Sequence, residues 1–345
     1  MPIAFVNAQL VLPPDEARAQ PVRGVFRFDT RRILSLDQPP QRGDTVIDLA
    51  GRAVYPGLIN AHDHLELNHY PRSKFRPVYA NAHQWGEDFL PQLAEAPYAS
   101  LRKRSLADQC MFGGLKNLRA GVTLVAHHNP LHPPLRSAEF PVRVLQRYGW
   151  AHSLHFEKDV RRSYRRTPRG AVWMIHLAEG TDAVAAGELR ALQALGCLRS
   201  NTLLIHGVGL SAADRAEVNQ RGAGLVWCPS SNLYLLGQTG EVRDLAADRK
   251  LALGSDSRLT ADGDLLDELR AAARTGQLDA RQLFRAVTED AAALLRVRDV
   301  GALRPGYAPD FFIAPAAADP YTALLTFTPH DLEAVYVGGV VRYQR

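Results

Sequence analysis

The chain has little that would cross-link it or hold it in a membrane. It carries 3 cysteines in 345 residues. Cys110, Cys197 and Cys228 form no close pair and no Cys-x-x-Cys, which argues against a disulfide framework and for a reducing compartment. No apolar run reaches the roughly 18 residues of a membrane span. The stretch Met1-Pro-Ile-Ala-Phe-Val-Asn7 lacks a basic region followed by an apolar core, so no secretory leader is expected. The expected location is cytoplasmic. Internal repeats and low-complexity tracts are missing too. The formal net charge is +5, and much of the excess sits between Lys158 and Arg169. An anion or nucleic-acid patch there would call for interleaved aromatics or a known motif. Neither is present, so the segment reads as a solvated loop or helix face. No nucleic-acid or membrane partner is expected.

What is there is ordinary for a globular protein, with 46% hydrophobic and 22% charged residues. Residues 1 to about 55 hold short apolar runs separated by Pro, Gly and Asp: Ile3-Ala-Phe-Val6, Gln9-Leu-Val-Leu12, Gly24-Val-Phe-Arg-Phe28 and Thr45-Val-Ile-Asp-Leu49. They read as a small antiparallel sheet. From Val54 the rhythm changes to strands alternating with helices. The strands are Val54–Asn60, Val122–Ala126, Val142–Leu145, Ala151–Phe156, Val172–His176, Thr202–His206, Gly224–Cys228 and Leu251–Ser255. Ser105–Ala120 and Asp182–Leu195 read as helices between them. About eight strands in this pattern suggest an α/β fold of the (β/α)8, TIM-barrel type. Almost nothing separates Leu145 from Ala151: a helix is missing there, or one irregular segment has been split. Helical segments follow at Asp264–Arg274 and Asp279–Leu295. Residues 302–345 return to β character. Chain ends commonly lie close together, so the expected division is a β-sandwich built from 1–55 and 302–345 around a barrel at 56–301.

The stretch Val54-Tyr-Pro-Gly-Leu-Ile-Asn-Ala-His-Asp-His64 is central. On a strand, positions i and i+2 face the same way, so His62 and His64 aim two nitrogen donors at one point. Three other runs also end in a metal-competent residue: Ala171-Val-Trp-Met-Ile-His176, Thr202-Leu-Leu-Ile-His206 and Leu251-Ala-Leu-Gly-Ser-Asp256. In a barrel those strand ends converge on one mouth. Four such strands point to one shared metal site rather than to isolated structural histidines.

Together Pro56-Gly-Leu-Ile-Asn-Ala-His-Asp-His64, His176-Leu-Ala-Glu-Gly180, Leu204-Ile-His-Gly207, Cys228-Pro-Ser-Ser-Asn232 and Leu253-Gly-Ser-Asp-Ser257 resemble the successive motifs of the amidohydrolase superfamily. The nearest branch is that of the cytosine and guanine deaminases and the triazine hydrolases. Val46-Ile-Asp-Leu-Ala-Gly-Arg-Ala-Val-Tyr-Pro-Gly57, Leu265-Leu-Asp-Glu-Leu-Arg270 and Leu303-Arg-Pro-Gly-Tyr-Ala-Pro-Asp310 extend the likeness over nearly the whole chain. The resemblance implies that His62, His64, His176 and Asp256 hold one divalent metal, Zn2+ or Fe2+, with a position open for water. It implies that Asp256 helps take the water's proton and that Glu179 shuttles protons to a ring nitrogen and the leaving group. His206 would hydrogen-bond the attacking oxygen or the developing tetrahedral centre. Each has a plainer alternative: a helix N-terminal residue for Glu179, a core histidine for His206, a turn cap for Asp256. Lys158 is the one lysine near the place of a metal-bridging carboxylated lysine, and it reads as solvated, so a mononuclear site is expected.

Substrate contacts are expected from Glu66, Trp85, His128 and Asn232, with Asn68, His69, His127 and Asn129 as further mouth residues. Trp85 would stack on a flat ring. The chain is shorter than most members of the family between Gly149 and Ala171, where the third and fourth units look truncated. Asp29-Thr30 stands where an Asp-Gly turn is usual. The implied activity is hydrolytic deamination of an amino-substituted nitrogen heterocycle, a small-molecule substrate. Hydrolysis of a cyclic amide, as in imidazolonepropionase-like relatives, is the first alternative. A non-catalytic assembly protein is the second, but it should have lost the ligands that this chain retains. Family likeness also suggests a homo-oligomer.

Overall fold

The computed structural model describes residues 1–15, 22–261 and 263–345. Five strands open the chain: β1 (Ile3–Leu10), β2 (Val22–Phe28), β3 (Ile33–Leu36), β4 (Thr45–Asp48) and β5 (Ala53–Pro56). Eight follow: β6 (Leu58–Asp63), β7 (Val122–His127), β8 (Arg143–Val144), β9 (Tyr148–Ala151), β10 (Val172–Leu177), β11 (Thr202–His206), β12 (Gly224–Trp227) and β13 (Leu251–Leu253). The chain closes with β14 (Phe311–Ala314), β15 (Ala334–Val337) and β16 (Val340–Gln344).

Both chain ends join in one eight-stranded sheet, ordered β16-β15-β14-β5-β1-β2-β3, with β4 also paired to β1. The expectation of a purely antiparallel sheet needs correction, since β1 runs parallel to β4 and β5. The expected sandwich is a single continuous ladder. Phe5, Phe26, Phe28 and Phe311 are all buried on it.

The segment expected as one strand from Val54 is two. It divides at Gly57, where the Gly57 N–H donates to Asp310 O and Leu58 N–H to Gly121 O. A Cβ at Gly57 would lie 2.2 Å from Thr123 Oγ1, so only glycine lets the chain pass from one sheet to the other here.

β6 to β13 are all parallel and lie in two sheets, β6-β7-β8 and β9 to β13. An Asp63–Asp256 bridge joins them at one seam. There the Asp256 N–H donates to His62 O at 3.1 Å, and the His64 N–H to Asp256 O at 3.0 Å. At the other seam, between β8 and β9, the described residues form no ladder, so the hydrogen-bonded ring is not closed. Three residues separate Val144 from Tyr148, too few for a helix. The third and fourth strands are therefore distinct, and the helix is missing. The fourth strand ends at Ala151, five residues before the expected Phe156.

Strand alternation sorts the core. Val172 and Met174 of β10 point inward with Leu203, Ile205, Val226 and Ala252. Trp173, Ile175 and Leu177 point out against the helices. Ser105 caps Leu106–Arg119, and Asp182 caps Ala183–Ala194. The expected helix Asp279–Leu295 is broken into Ala280–Ala286 and Glu289–Leu294. The basic segment forms a short helix, Val160–Arg166, whose arginines are exposed, and Lys158 before it is exposed too.

Candidate metal centre

His62, His64, His176 and Asp256 meet at one end of the parallel strands, all buried. His176 shares the inward face with Val172 and Met174 by alternation. The other three reach the same point by departures from it. The β6–β7 register shifts between Asn60 and Asp63. Gly254 sits where a Cβ would lie 2.6 Å from His62 Cβ. His206 and Asp256 adopt left-handed backbone, with φ of 76° and 50°. Ala178, just before Glu179, does so as well at 54°. Such conformations cost about 1 kcal/mol or more each outside glycine, and they cluster here.

Asp63, between the two histidines, points the other way. It accepts from Asn117 Nδ2 at 2.7 Å and Asn68 Nδ2 at 2.9 Å, and pairs with Lys116 Nζ at 2.9 Å. This anchor fixes the direction in which His62 and His64 project.

The donor atoms are closely spaced. His62 Nε2 lies 3.2 Å from Asp256 Oδ1 and 3.2 Å from His176 Nε2. His64 Nε2 lies 3.3 Å from His176 Nε2 and 3.5 Å from Asp256 Oδ1. Zinc bonds of 2.0–2.1 Å in a tetrahedron set the ligands about 3.3 Å apart. The His176 Nδ1–H donates to His152 O at 2.7 Å, leaving Nε2 as a lone pair facing the cluster. Three nitrogens and one carboxylate oxygen thus fit a single metal ion.

Burial holds the His64 and His176 imidazoles well below their ordinary pKa, reinforced by neighbouring imidazoles. Both shifts favour the unprotonated form that can ligate. Burial alone would raise the Asp256 carboxyl, but the His62 hydrogen bond and nearby His206 and His64 hold it well below the carboxylate range. Its Oδ2 also accepts from Ser231 Oγ and Thr260 Oγ1, each at 2.7 Å. Glu179 is the opposite case. Burial first, then Asp256 and Glu188, push it well above the carboxylate range, which favours its protonated form. Glu179 Oε2 is 3.5 Å from His206 Nε2. The His206 Nδ1–H donates to Asn232 Oδ1 at 2.9 Å.

These groups open on a cavity of about 340 Å³. Its polar lining includes His64, His176, Asp256, Glu179 and His206, and its apolar lining includes Leu67, Trp85, Phe89, Phe156, Leu235 and Leu259.

Residues 167–341 match the model of the Amidohydrolase family, about half of the 345-residue chain. The chain belongs to the amidohydrolase family. It is similar to the 5-methylthioadenosine/S-adenosylhomocysteine deaminase of Thermococcus kodakarensis, 23% identical over 85% of this chain and 81% of that one. A second such deaminase, from Archaeoglobus fulgidus, is 24% identical over 91% of this chain and 85% of its own. Among solved structures, atrazine chlorohydrolase of Arthrobacter aurescens complexed with zinc superposes with a TM-score of 0.81 at 18% identity. That match covers 98% of this chain and 94% of the other. An adenosine deaminase from Xanthomonas campestris with bound zinc gives 0.78 at 18% identity, covering 98% and 92%. At such identities the structural likeness carries the fold.

Within this amidohydrolase, Trp85 lines the cavity, stacked on Phe89 at 5.2 Å. Three other expected substrate contacts are placed outside the lining. His128 lies behind the cluster, its ring 4.3 Å from that of His176, and its Nε2–H donates to Ala151 O. Asn232 orients His206 and donates to Thr239 Oγ1. Glu66 turns to Asn129 and His127. Asn68 is used up on Asp63, and His69 Nδ1 on Glu66 O. Sequence reasoning missed His152, Ser153, His83 and Glu188, all in the lining. His152 follows Tyr148–Ala151 directly and fits the rule of a strand ending in histidine. The misplaced fourth strand hid it. Burial pushes Glu188 up to about 7, and its Oε2 accepts the Ala178 N–H next to Glu179.

Proposed function

We propose that the chain is a metal-dependent hydrolase that deaminates an amino-substituted nitrogen heterocycle. The observation that carries this is Glu179: a partly buried carboxyl, its pKa raised by desolvation, 3.5 Å from His206 and lining the same cavity as His64, His176 and Asp256 beside apolar side chains suited to a flat ring. His62, His64, His176 and Asp256 would hold one divalent ion, with zinc favoured by the zinc-bearing structural neighbours. Bound there, the ion supplies the Lewis acidity that makes water nucleophilic near neutral pH.

The residues divide the proton traffic. The ring enters between Trp85 and Phe156, with its amino-bearing carbon toward the cluster. Water oxygen adds to that carbon. Asp256, ionised, accepts a water proton on its carboxylate. Glu179 gives its proton to the adjacent ring nitrogen, which takes the electron pair of the opened C=N bond. His206, oriented by Asn232, hydrogen-bonds the oxygen on the tetrahedral carbon. Asp256 then gives its proton to the amino group, the hydroxyl proton passes to Glu179, and the C–N bond breaks to release ammonia and leave a ring carbonyl.

The parallel strands are read as an eight-stranded barrel, open in its hydrogen bonding between β8 and β9. The division into 1–55 and 302–345 around 56–301 follows the passage at Gly57. A cytoplasmic setting agrees with three buried free cysteines. The test is ammonia release from aminopyrimidines, aminopurines, their thioether-bearing nucleosides, pterins and aminotriazines, with zinc content measured on the same sample. Ammonia from one class defines the ring. Bound zinc with no ammonia, but ring opening of a cyclic amide, would replace this reading with amide hydrolysis.

A further inference from the structure

A second set of metal-competent side chains meets on the far side of Asn129. Glu66 lies in the turn Leu65–Leu67, His127 ends β7, and His132 lies in the loop that follows. Each brings a donor atom within 4.8 Å of the other two. Glu66 Oε2 is 3.6 Å from His127 Nδ1. The set shares no residue with the catalytic cluster.

One polar atom here is stranded: Glu66 Oε2 is buried with no hydrogen-bond partner among the described residues, and the ring nitrogen that faces it is His127 Nδ1. A buried polar atom left unpaired costs about 1–3 kcal/mol, more when charged, and such atoms are normally completed by an ion or a water. The other Glu66 oxygen accepts from Asn129 Nδ2, which also lies 3.3 Å from His64 Nδ1. His127 Nδ1 receives only a long contact of 3.3 Å from the Leu65 N–H. Two imidazoles and one carboxylate, with a position left for water, is a zinc-type donor set. The donors are spread wider than the about 3.3 Å of a tetrahedral zinc site. His132, half-buried on its loop, can supply the closure.

We propose that Glu66, His127 and His132 bind a second divalent ion of the zinc class, separate from the catalytic one. The ion clamps the loop after β7 onto the Leu65–Leu67 turn. It thereby fixes Asn129 against His64. The catalytic cluster itself still holds one ion.

The experiment is equilibrium dialysis of chelator-stripped full-length protein against micromolar free zinc, with zinc per chain counted by elemental analysis. Wild type should take up two equivalents. His132→Ala and Glu66→Gln should each take up one, and His176→Ala should also take up one, having lost the other. Glu66→Gln is nearly isosteric and guards against misfolding in His132→Ala; circular dichroism checks both. One equivalent in wild type that is lost in His176→Ala and kept in His132→Ala, or two retained in both His132→Ala and Glu66→Gln, overturns the proposal. A count that falls in His132→Ala but not in His176→Ala keeps this site and discards the catalytic ligand set, so the two failures are distinguishable. Anomalous diffraction at the zinc edge should put the second ion among these three side chains; a peak elsewhere would also overturn it.

Discussion

Two clusters of five rings sit in this molecule, packed alike and opposite in energy. In the terminal sheet, Phe5, Phe26, Phe28, Phe311 and Tyr336 have ring centroids 4.5–6.4 Å apart. At the mouth of the parallel strands, His62, His64, His128, His176 and His206 have theirs 4.3–6.0 Å apart. Burying phenyl rings removes apolar area from water at about 25 cal/mol per Å² and stabilises the sheet outright. Burying imidazoles forces them neutral and turns their lone pairs on one another, which is favourable only with a cation between them. One cluster holds the fold together. The other is held by the fold, through the Asp63 anchor and three left-handed residues, ready for an ion.

The largest effect should separate chemistry from binding within the second cluster. Glu179→Gln removes the proton donor and no donor atom of the cluster. Ammonia release should fall about 10²–10⁴-fold while zinc content stays unchanged. A loss of zinc in that variant would mean that Glu179 belongs to the metal's support instead.

Two substitutions should then split the clusters. Phe28→Ala should cost about 3–5 kcal/mol of stability in denaturant unfolding, with zinc per folded chain unaltered. Lys116→Met leaves the buried Asp63 carboxylate without its cation, at about 3–5 kcal/mol, and should also lower zinc affinity, because Asp63 aims His62 and His64. Equal zinc affinity in both variants would erase the distinction drawn here.

Zinc itself should act on stability. At a free concentration a hundredfold above its Kd, an ion bound only by the folded state adds about 2.7 kcal/mol. Chelation should lower Tm by a corresponding step that zinc restores.

The smallest effect concerns pH. Burial pushes Glu268 up to about 8, while its Oε1 accepts the Ser230 N–H at 2.8 Å. A carboxyl with a raised folded-state pKa binds its proton more tightly in the folded chain. Its contribution is therefore full below about pH 4.5 and is lost as pH rises toward 8. Glu268→Gln, which keeps the carbonyl acceptor, should remove that loss and raise Tm at pH 8 relative to wild type. An unchanged Tm-against-pH profile would rule the mechanism out.

Much of the candidate site was legible because its grammar is local. A short apolar run, buried on both faces and ending in His or Asp, names His62, His64, His176, His206 and Asp256 without any contact being known. Where the strand was misplaced, at Ala151–Phe156 instead of Tyr148–Ala151, the same grammar failed and His152 was lost. Glu66, His128 and Asn232 were recognised as polar residues near the mouth, but sequence spacing does not say which way a residue beyond a strand end turns. The second donor set is invisible for a similar reason. His132 lies five residues past the end of β7, and only the turn of that loop brings it to Glu66.

The amino-acid order by itself thus determined the alternation of strands and helices and the residue types at the strand ends. These follow from side-chain period and backbone freedom, which act over a few residues. Only the tertiary structure decided that three Nε2 atoms and one carboxylate oxygen stand 3.2–3.5 Å apart. It also decided that the Glu179 carboxyl is pushed up while the Asp256 carboxyl is held down. Those outcomes depend on desolvation and on contacts between residues up to 194 positions apart, as between His62 and Asp256.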